Sequence, residues 1–288
     1  MHTNPHPLFR RFPLRGLKST TRGMLPVPYH IYDGHALFMG GTANLDAVRP
    51  VLDKEDVHPV VNQEGKALMG VWVIDATNAS LGAHLELQFS IIVSHQPIEP
   101  VSAHPLAILE LLMFNPDVRL LCHGLWNSTE TVVTYNREVL ALNAMLTHGE
   151  ITRDPKQQIE TFHFTDSNGE LIFSGNVSEL KRTPSKVVRS LMRLMGVRKF
   201  FQAANENCLE SQVVNPIGIL PFNADAQAYV MNNQQTLQFF NRQTDTLEFG
   251  HALYRSLQFQ AQFMEHMSGF KFVYLNMHNA ADSAYLQA

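Results

Sequence analysis

The chain has 288 residues, enough for one large domain or two small ones. Hydrophobic residues make up 45% and charged residues 17%, a globular composition, and a formal net charge of −4 argues against nucleic acid binding. No run approaches 18 apolar residues and no apolar signal core precedes the domain, so we expect a cytoplasmic protein. Cys122 and Cys208 lie far apart and form no metal-binding or disulfide motif, so both are expected as free thiols.

Residues 1–26 form a basic N-terminal segment that ends before the first acidic residue, Asp33. We predict an arm that packs on the domain or on a neighbouring subunit. An arginine-rich transit peptide is the alternative, because serine and threonine accompany the basic residues. These basic residues are Arg10, Arg11, Arg15, Lys18 and Arg22.

From about residue 28 the chain consists of short apolar runs separated by turn signals, which is typical of strands. Between His84 and Ser90 polar and apolar residues alternate, so Glu86 and Gln88 share one face with His84. If that face lines the lumen of a barrel, Glu86 is a candidate acid or base with a raised pKa. If that face is exposed to solvent, the alternation has no functional meaning. Periodicity alone does not distinguish a face that lines the lumen from one that is exposed.

The remaining pattern predicts an α+β single domain over residues 27–288, built on an antiparallel barrel with helical insertions. One helix is expected at 104–115 and a second, basic and amphipathic, at about 183–204. Ser167-Asn168-Gly169 predicts a hairpin turn. Further strands are predicted at 131–138, 159–166, 170–180, 227–240 and 270–275.

The segment 181–199 holds seven basic residues and no acid, with an apolar stripe at helical spacing. Its broad apolar side favours a helix packed on its own barrel with a solvated basic face. Docking on an anionic membrane or an acidic partner is the alternative. The contacts for such docking would come from Lys186, Arg189 and Arg193.

Common catalytic motifs are absent: the sequence has no GxSxG, P-loop, GxGxxG or HExxH. Fourteen histidines invite a metal assignment. However, His30 with His35, or His84 with Glu86, lacks the second ligand pair that a structural site requires. We therefore expect no metal and no cofactor.

Several segments in chain order resemble the acetoacetate decarboxylase superfamily. They include a Pro-Tyr element containing Tyr29, a Leu-Gly turn followed by a strand with Glu86, and the stretch "YNREVLALNAML" with its Arg-Glu pair. The resemblance implies an antiparallel barrel or cone, a homo-oligomer, and lyase chemistry through a Schiff-base lysine. It also places Glu86 on the active-site carboxylate of the family. The similar segments are 27–52, 81–89, 130–145, 236–250 and 270–275.

The chain departs from the family at the residue that forms the Schiff base. Ala144 stands at that position, and Met145 stands where a second lysine activates the first. An alanine methyl group has no amine with which to attack a keto carbon, so the missing lysine argues against the family reaction.

Other departures remove further polar residues of the family site. Asn136 replaces a glycine, and the arginine near the Pro-Tyr element falls at about Pro26, with Arg22 as the nearest candidate. The second acidic residue of the family falls near Val71 or Trp72.

These observations predict a pocket that binds a small carbonyl, carboxylate or acyl ligand without Schiff-base decarboxylation. Glu86 would be the acid or base, and Arg137 with Glu138 a buried pair of structural importance. Two alternatives remain: a lyase that uses a lysine from elsewhere, and a non-enzymatic relative that docks through the basic helix. The other candidate ligand-binding or structural residues are Tyr29, His84, Gln88 and Met145.

Overall fold

The computed structural model describes residues 6–179, 208–215 and 224–276. The basic helix predicted at about 183–204 lies outside these residues. None of the described helices is long and apolar enough to cross a membrane. The described helices are α1 (Pro7–Arg11), α2 (Leu45–Leu52), α3 (Ala107–Phe114), α4 (Glu130–Glu138) and α5 (Ala252–Ser256). The strands are β1 (Gly16–Thr20), β2 (Gly23–Val27), β3 (Tyr29–Ala43), β4 (His58–Pro59), β5 (Ala67–Ala79), β6 (His84–Ser94), β7 (Val118–Asn127), β8 (Ala144–Leu146), β9 (His148–Asp154), β10 (Ile159–Thr165), β11 (Leu171–Ser178), β12 (Cys208–Asn215), β13 (Ala224–Met231), β14 (Gln234–Phe239), β15 (Thr246–Phe249), β16 (Gln260–Ser268) and β17 (Lys271–Asn276).

The main sheet curls into a partly closed ring. Strand β3 pairs with β5, and the pairing then runs through β6, β7, β12, β13 and β17 back to β3. Two of these strand pairings are short. Strands β7 and β12 pair in parallel at two residue positions, and β17 pairs with β3 at three residue positions. The α+β architecture predicted from the sequence is confirmed, although the sheet is less regular than a closed barrel.

A second sheet covers one outer face of the ring. It contains β15, β11, β10 and β9 in that order, and the predicted hairpin at Ser167-Asn168-Gly169 joins β10 to β11. Aromatic side chains fill the space between the sheets, and the rings of Phe89 and Tyr254 stack at 3.8 Å. This layer anchors the outer face of β6, whose inner face lines the ring.

The alternation in β6 separates these two environments. Leu87 and Phe89 belong to the core between the sheets, whereas His84 and Glu86 point to the other side and are also buried. Trp72 and Ile74 on the neighbouring strand β5 face the same interior, and so does the buried Glu265 of β16, which lies between the inward-facing Phe263 and Met267. Both faces of β6 are therefore enclosed, and the polar face is not the solvent face.

The prediction of a strand at 131–138 was wrong, because this segment is helix α4. Its β-branched residues favour a strand locally, but the Thr129 side chain caps the helix by accepting a hydrogen bond from the Val132 N–H. Val132, Tyr135 and Asn136 are buried at helical spacing. Packing of this face on the ring, together with the cap, outweighs the local preference.

The N-terminal arm packs on the outside of the ring. Phe9 and Phe12 of this arm lie in a small apolar cluster with Tyr229 of β13 and Val273 of β17. The ring of Phe12 lies 4.5 Å from that of Tyr229. Burial of these aromatic residues holds the arm on the domain.

Gly41 lies where two backbones approach closely, beside the bulge in β16 between Ala261 and Phe263. A Cβ atom at Gly41 would overlap the backbone carbonyl of Gln260, which has no freedom to rotate away. We expect Gly41→Ala to lower the free energy of unfolding by about 1–3 kcal/mol, measured by urea denaturation. Gly16→Ala is the control, because no atom lies within 4 Å of the added methyl group. Equal stability of the two variants would contradict this packing.

Candidate functional site

Glu86 lies on β6 with its carboxyl group inside the ring, and 6% of the residue is exposed. The Asn127 side chain donates a hydrogen bond from Nδ2 to Glu86 Oε2 at 2.8 Å. Burial raises the pKa of Glu86 to about 7, against the opposing effect of this hydrogen bond. A carboxyl group that changes protonation near neutral pH has the property required of a general acid or base.

A chain of two buried amides leads from helix α4 to this carboxyl group. Asn136 Nδ2 donates to Asn127 Oδ1 at 2.8 Å, which leaves Asn127 Nδ2 oriented toward Glu86. The sequence marked Asn136 only as a departure from the family glycine and missed Asn127 entirely. The available signal was a polar residue at the end of the apolar strand "LLCHGLWN".

Tyr29 and His84 form a second polar pair in the buried region around Glu86. The Tyr29 hydroxyl lies 2.6 Å from His84 Nε2, and His84 Nδ1 lies 2.8 Å from the Gly82 carbonyl. Because a carbonyl only accepts, Nδ1 carries the proton of a neutral ring and Nε2 accepts from Tyr29. Burial lowers the pKa of His84, which favours this neutral form. Burial, followed by the charge of Glu86, raises the pKa of Tyr29, so the hydroxyl keeps its proton.

Ala144 and Met145 point in opposite directions from β8. Ala144 pairs with Leu125 of β7, which lies opposite Gln88 of β6. Ala144 is fully buried in the core of the ring, whereas Met145 packs against the core between the two sheets. Ala144 therefore faces the same interior as Glu86.

Gln88 is half-buried on the same face of β6 as Glu86. Its side chain donates from Nε2 to the Ser90 hydroxyl at 2.7 Å. This hydrogen bond orients the Gln88 amide along β6, so Gln88 adds a polar group to the strand face that carries Glu86.

Arg137 and Glu138 do not form a buried pair, and that prediction was wrong. Both side chains are exposed at the end of α4. Arg137 Nε donates to the Ala144 carbonyl at 2.6 Å, and the Glu138 carboxylate accepts from the Thr21 N–H and hydroxyl. The first bond fixes the backbone at Ala144 and the second ties the arm to α4. Adjacent residues near a helix end project in different directions, which separates their roles.

Arg22, Val71 and Trp72, which the sequence resemblance suggested for the other family positions, add no polar group inside the ring. Arg22, the nearest candidate for the family arginine, forms an exposed ion pair with Glu130. Val71 faces the core between the sheets, and Trp72 packs in the interior with its ring 4.6 Å from Phe38. Both Val71 and Trp72 are therefore part of apolar packing.

None of the five lysines in the described ranges reaches the interior of the ring. Lys271 is buried, but its strand neighbours Phe270 and Phe272 face inward, so Lys271 lies on the outer face. Its amine donates to the Gly269 carbonyl at 2.9 Å. The other four are exposed or half-buried at the surface: Lys18, Lys54, Lys66 and Lys156.

Two open clefts are described, and neither is lined by Glu86 or Ala144. One lies between the second sheet and the strands β14 and β16, and the other lies at the start of α2.

Comparison with known proteins finds similarity in structure but not in sequence. No family model and no curated protein matches the chain. An acetoacetate decarboxylase from Legionella pneumophila superposes with a TM-score of 0.56 at 11% identity, covering 93% of this chain and 92% of that one.

Two further structures have the same architecture. Another acetoacetate decarboxylase gives a TM-score of 0.53 at 14% identity, covering 90% of this chain and 89% of that one. The enduracididine biosynthesis enzyme MppR, complexed with pyruvate, gives 0.53 at 8% identity and covers 90% and 94%. The chain therefore has the fold of the acetoacetate decarboxylase superfamily.

Proposed function

We propose that this protein binds a small ligand with a carbonyl or carboxylate group inside the ring, beside Glu86, without forming a Schiff base. The observation that carries this proposal is the environment of Glu86, a buried carboxyl group with a pKa of about 7 and one neutral hydrogen-bond donor, Asn127. A buried structural carboxylate is usually paired with a cation. Glu86 has a neutral partner and a pKa near neutral pH, which supports a role in proton transfer.

The polar groups around Glu86 favour a carbonyl oxygen as the recognised group. The neighbouring polar side chains Asn127, Asn136, Tyr29 and His84 are neutral. A neutral carbonyl needs a hydrogen-bond donor and no countercharge, and protonated Glu86 supplies such a donor. A ligand carboxylate is accommodated in the same way, by sharing the proton of Glu86.

The methyl group of Ala144, which the sequence resemblance places at the Schiff-base position, supports a non-covalent mode of binding because it has no amine. MppR, a structural relative, was solved with pyruvate, which supports a keto acid or related carbonyl compound as the ligand class. The chemistry open to this site is proton transfer next to a carbonyl group. Ionised Glu86 removes a proton from the adjacent carbon, and protonated Glu86 returns it.

The alternatives from the sequence depend on residues outside the described part of the chain. A lyase with a lysine from elsewhere would use Lys181, Lys186 or Lys199, and docking on an anionic surface would use the same segment. The homo-oligomer and the cytoplasmic location also stay predictions from the sequence.

Ligand binding can be tested with acetoacetate, pyruvate and the neutral ester methyl acetoacetate by isothermal titration calorimetry. We expect at least one of them to bind, and Glu86→Gln to weaken that binding about tenfold or more through loss of the proton-sharing group. Glu248→Gln, at an exposed carboxylate on β15, is the control and should bind normally. Borohydride treatment with either keto acid should leave the protein mass unchanged. A covalent adduct would show that a lysine reaches the ligand.

The raised pKa of Glu86 predicts a stability that depends on pH. A carboxyl group with a pKa of about 7 in the folded state and 4.5 in the unfolded state stabilises the fold below pH 4.5. This contribution, ~3 kcal/mol at most, is lost as pH rises through 7. We expect Glu86→Gln to flatten the decline measured by urea denaturation between pH 5 and 8.

Glu265 provides an internal comparison, because burial raises its pKa to about 7 as well. Glu265→Gln should flatten the same decline, and the Glu86→Gln, Glu265→Gln double variant should flatten it further. Glu248→Gln should follow the wild-type curve. A wild-type stability that rises from pH 5 to 8 in parallel with Glu86→Gln would refute the assigned shift.

A further inference from the structure

A second buried polar cluster lies outside the interior of the ring, between the ring and the second sheet. It contains His35 of β3, His266 of β16 and Glu160 of β10. Only 6%, 3% and 0% of these residues are exposed, respectively. Two strands of the main sheet and one strand of the covering sheet therefore contribute to a single enclosed cluster.

The three side chains converge on one carboxylate oxygen. His35 Nε2 lies 2.9 Å and His266 Nδ1 lies 3.1 Å from Glu160 Oε2. One ligand atom from each residue lies within 4.8 Å of the other two. Ligands bonded to one metal at about 2.1 Å are roughly 3.0–3.5 Å apart, so small side-chain adjustments would place an ion among them.

Hydrogen bonding within the described residues leaves part of this cluster unsatisfied. Glu160 Oε1 is buried without a partner, as are His35 Nδ1 and His266 Nε2. Each buried polar atom without a partner costs about 1–3 kcal/mol. A cation between the rings and the carboxylate would compensate the buried charge and use the second oxygen of Glu160.

We propose that His35, Glu160 and His266 form a site for a divalent transition-metal ion. Two imidazoles and one carboxylate are the donor set of non-haem iron centres and of catalytic zinc sites such as those with two histidines and a glutamate. Three protein ligands leave coordination positions open, unlike the closed four-ligand sets of structural zinc.

The proposed site lies next to an open cleft. His266 borders an open cleft of about 230 Å³, together with Thr236 of β14 and Ser268 of β16. The rim of this cleft carries the Arg153–Glu179 ion pair. We expect the ion to exchange with solvent from the side of His266, which separates the cluster from the cleft.

The site is distinct from Glu86 in both position and chemistry. His266 and Met264 share the face of β16 that meets the second sheet, whereas Phe263 and Met267 face the interior of the ring. An ion here would join the ring to the covering sheet, so binding it should also stabilise the folded protein.

Metal binding is tested on the full, untagged chain after removal of metal with a chelator. Equilibrium dialysis against Zn²⁺ or Co²⁺, with elemental analysis, should give one ion per chain. Bound Co²⁺ should give visible absorption bands of a nitrogen- and oxygen-coordinated site. Zn²⁺ should raise the thermal unfolding midpoint of the wild-type protein.

Three variants separate this site from adventitious binding. Glu160→Gln keeps the side-chain volume but removes the anionic ligand, and His266→Ala removes one imidazole; each should weaken binding more than tenfold. His163→Ala is the matched control, because His163 is exposed on the same strand as Glu160. Circular dichroism verifies that each variant is folded.

Two results of the metal-binding experiments would contradict the proposed site. If the wild-type chain takes up less than one equivalent of either ion at saturation, the cluster is a hydrogen-bonded contact between the two sheets. Equal uptake by wild type, Glu160→Gln and His266→Ala would place the bound ion elsewhere. Either result overturns the proposal.

Discussion

The burial of Glu86 inside a ring of strands is the constraint on which the proposed site depends. A carboxyl group in this position is enclosed on both sides of the sheet, because the opposite face of β6 packs against a second sheet. Its hydrogen-bond donor Asn127 is itself held by Asn136, so helix α4 orients the group. Loss of solvation, rather than a charged partner, sets its protonation.

Ala144 is the residue on which the proposal of ligand binding without a Schiff base depends. Arg137 holds the carbonyl of Ala144, and the register of β8 against β7 points the methyl group inward. The backbone at this position is thus well supported, yet the residue has no amine. A fold shared at low sequence identity does not carry its reaction with it, and function must be argued from the site.

The two sheets provide two different polar environments within one domain. The interior of the ring surrounds Glu86 with neutral groups, whereas the junction between the sheets brings two imidazoles to the single carboxylate of Glu160. Burial disfavours an ionised carboxyl group in both places, but only Glu160 has two imidazole nitrogens within hydrogen-bond distance. We therefore propose proton exchange for Glu86 and metal ligation for Glu160.

Local patterns in the sequence were sufficient for several elements of this fold. The alternation of β6, the hairpin at Ser167-Asn168-Gly169 and the helix near 107–114 follow from spacing and turn residues over fewer than about a dozen positions. The order of such segments also identified the superfamily fold. The segment 131–138 was predicted as a strand because its β-branched residues favour one. In the structure its N-cap and its buried face stabilise a helix instead.

By itself, the sequence determined that Glu86 shares a face with His84 and Gln88, and that no lysine stands at position 144. Only the tertiary structure decided that this face is the interior of the ring, and that Asn127 and Asn136 reach the carboxyl group. It alone brought His35 and His266 to Glu160, across separations of 125 and 106 residues. The reason is physical: period-two alternation is a property of one strand, whereas burial and ligand geometry arise from contacts between segments that are distant along the chain.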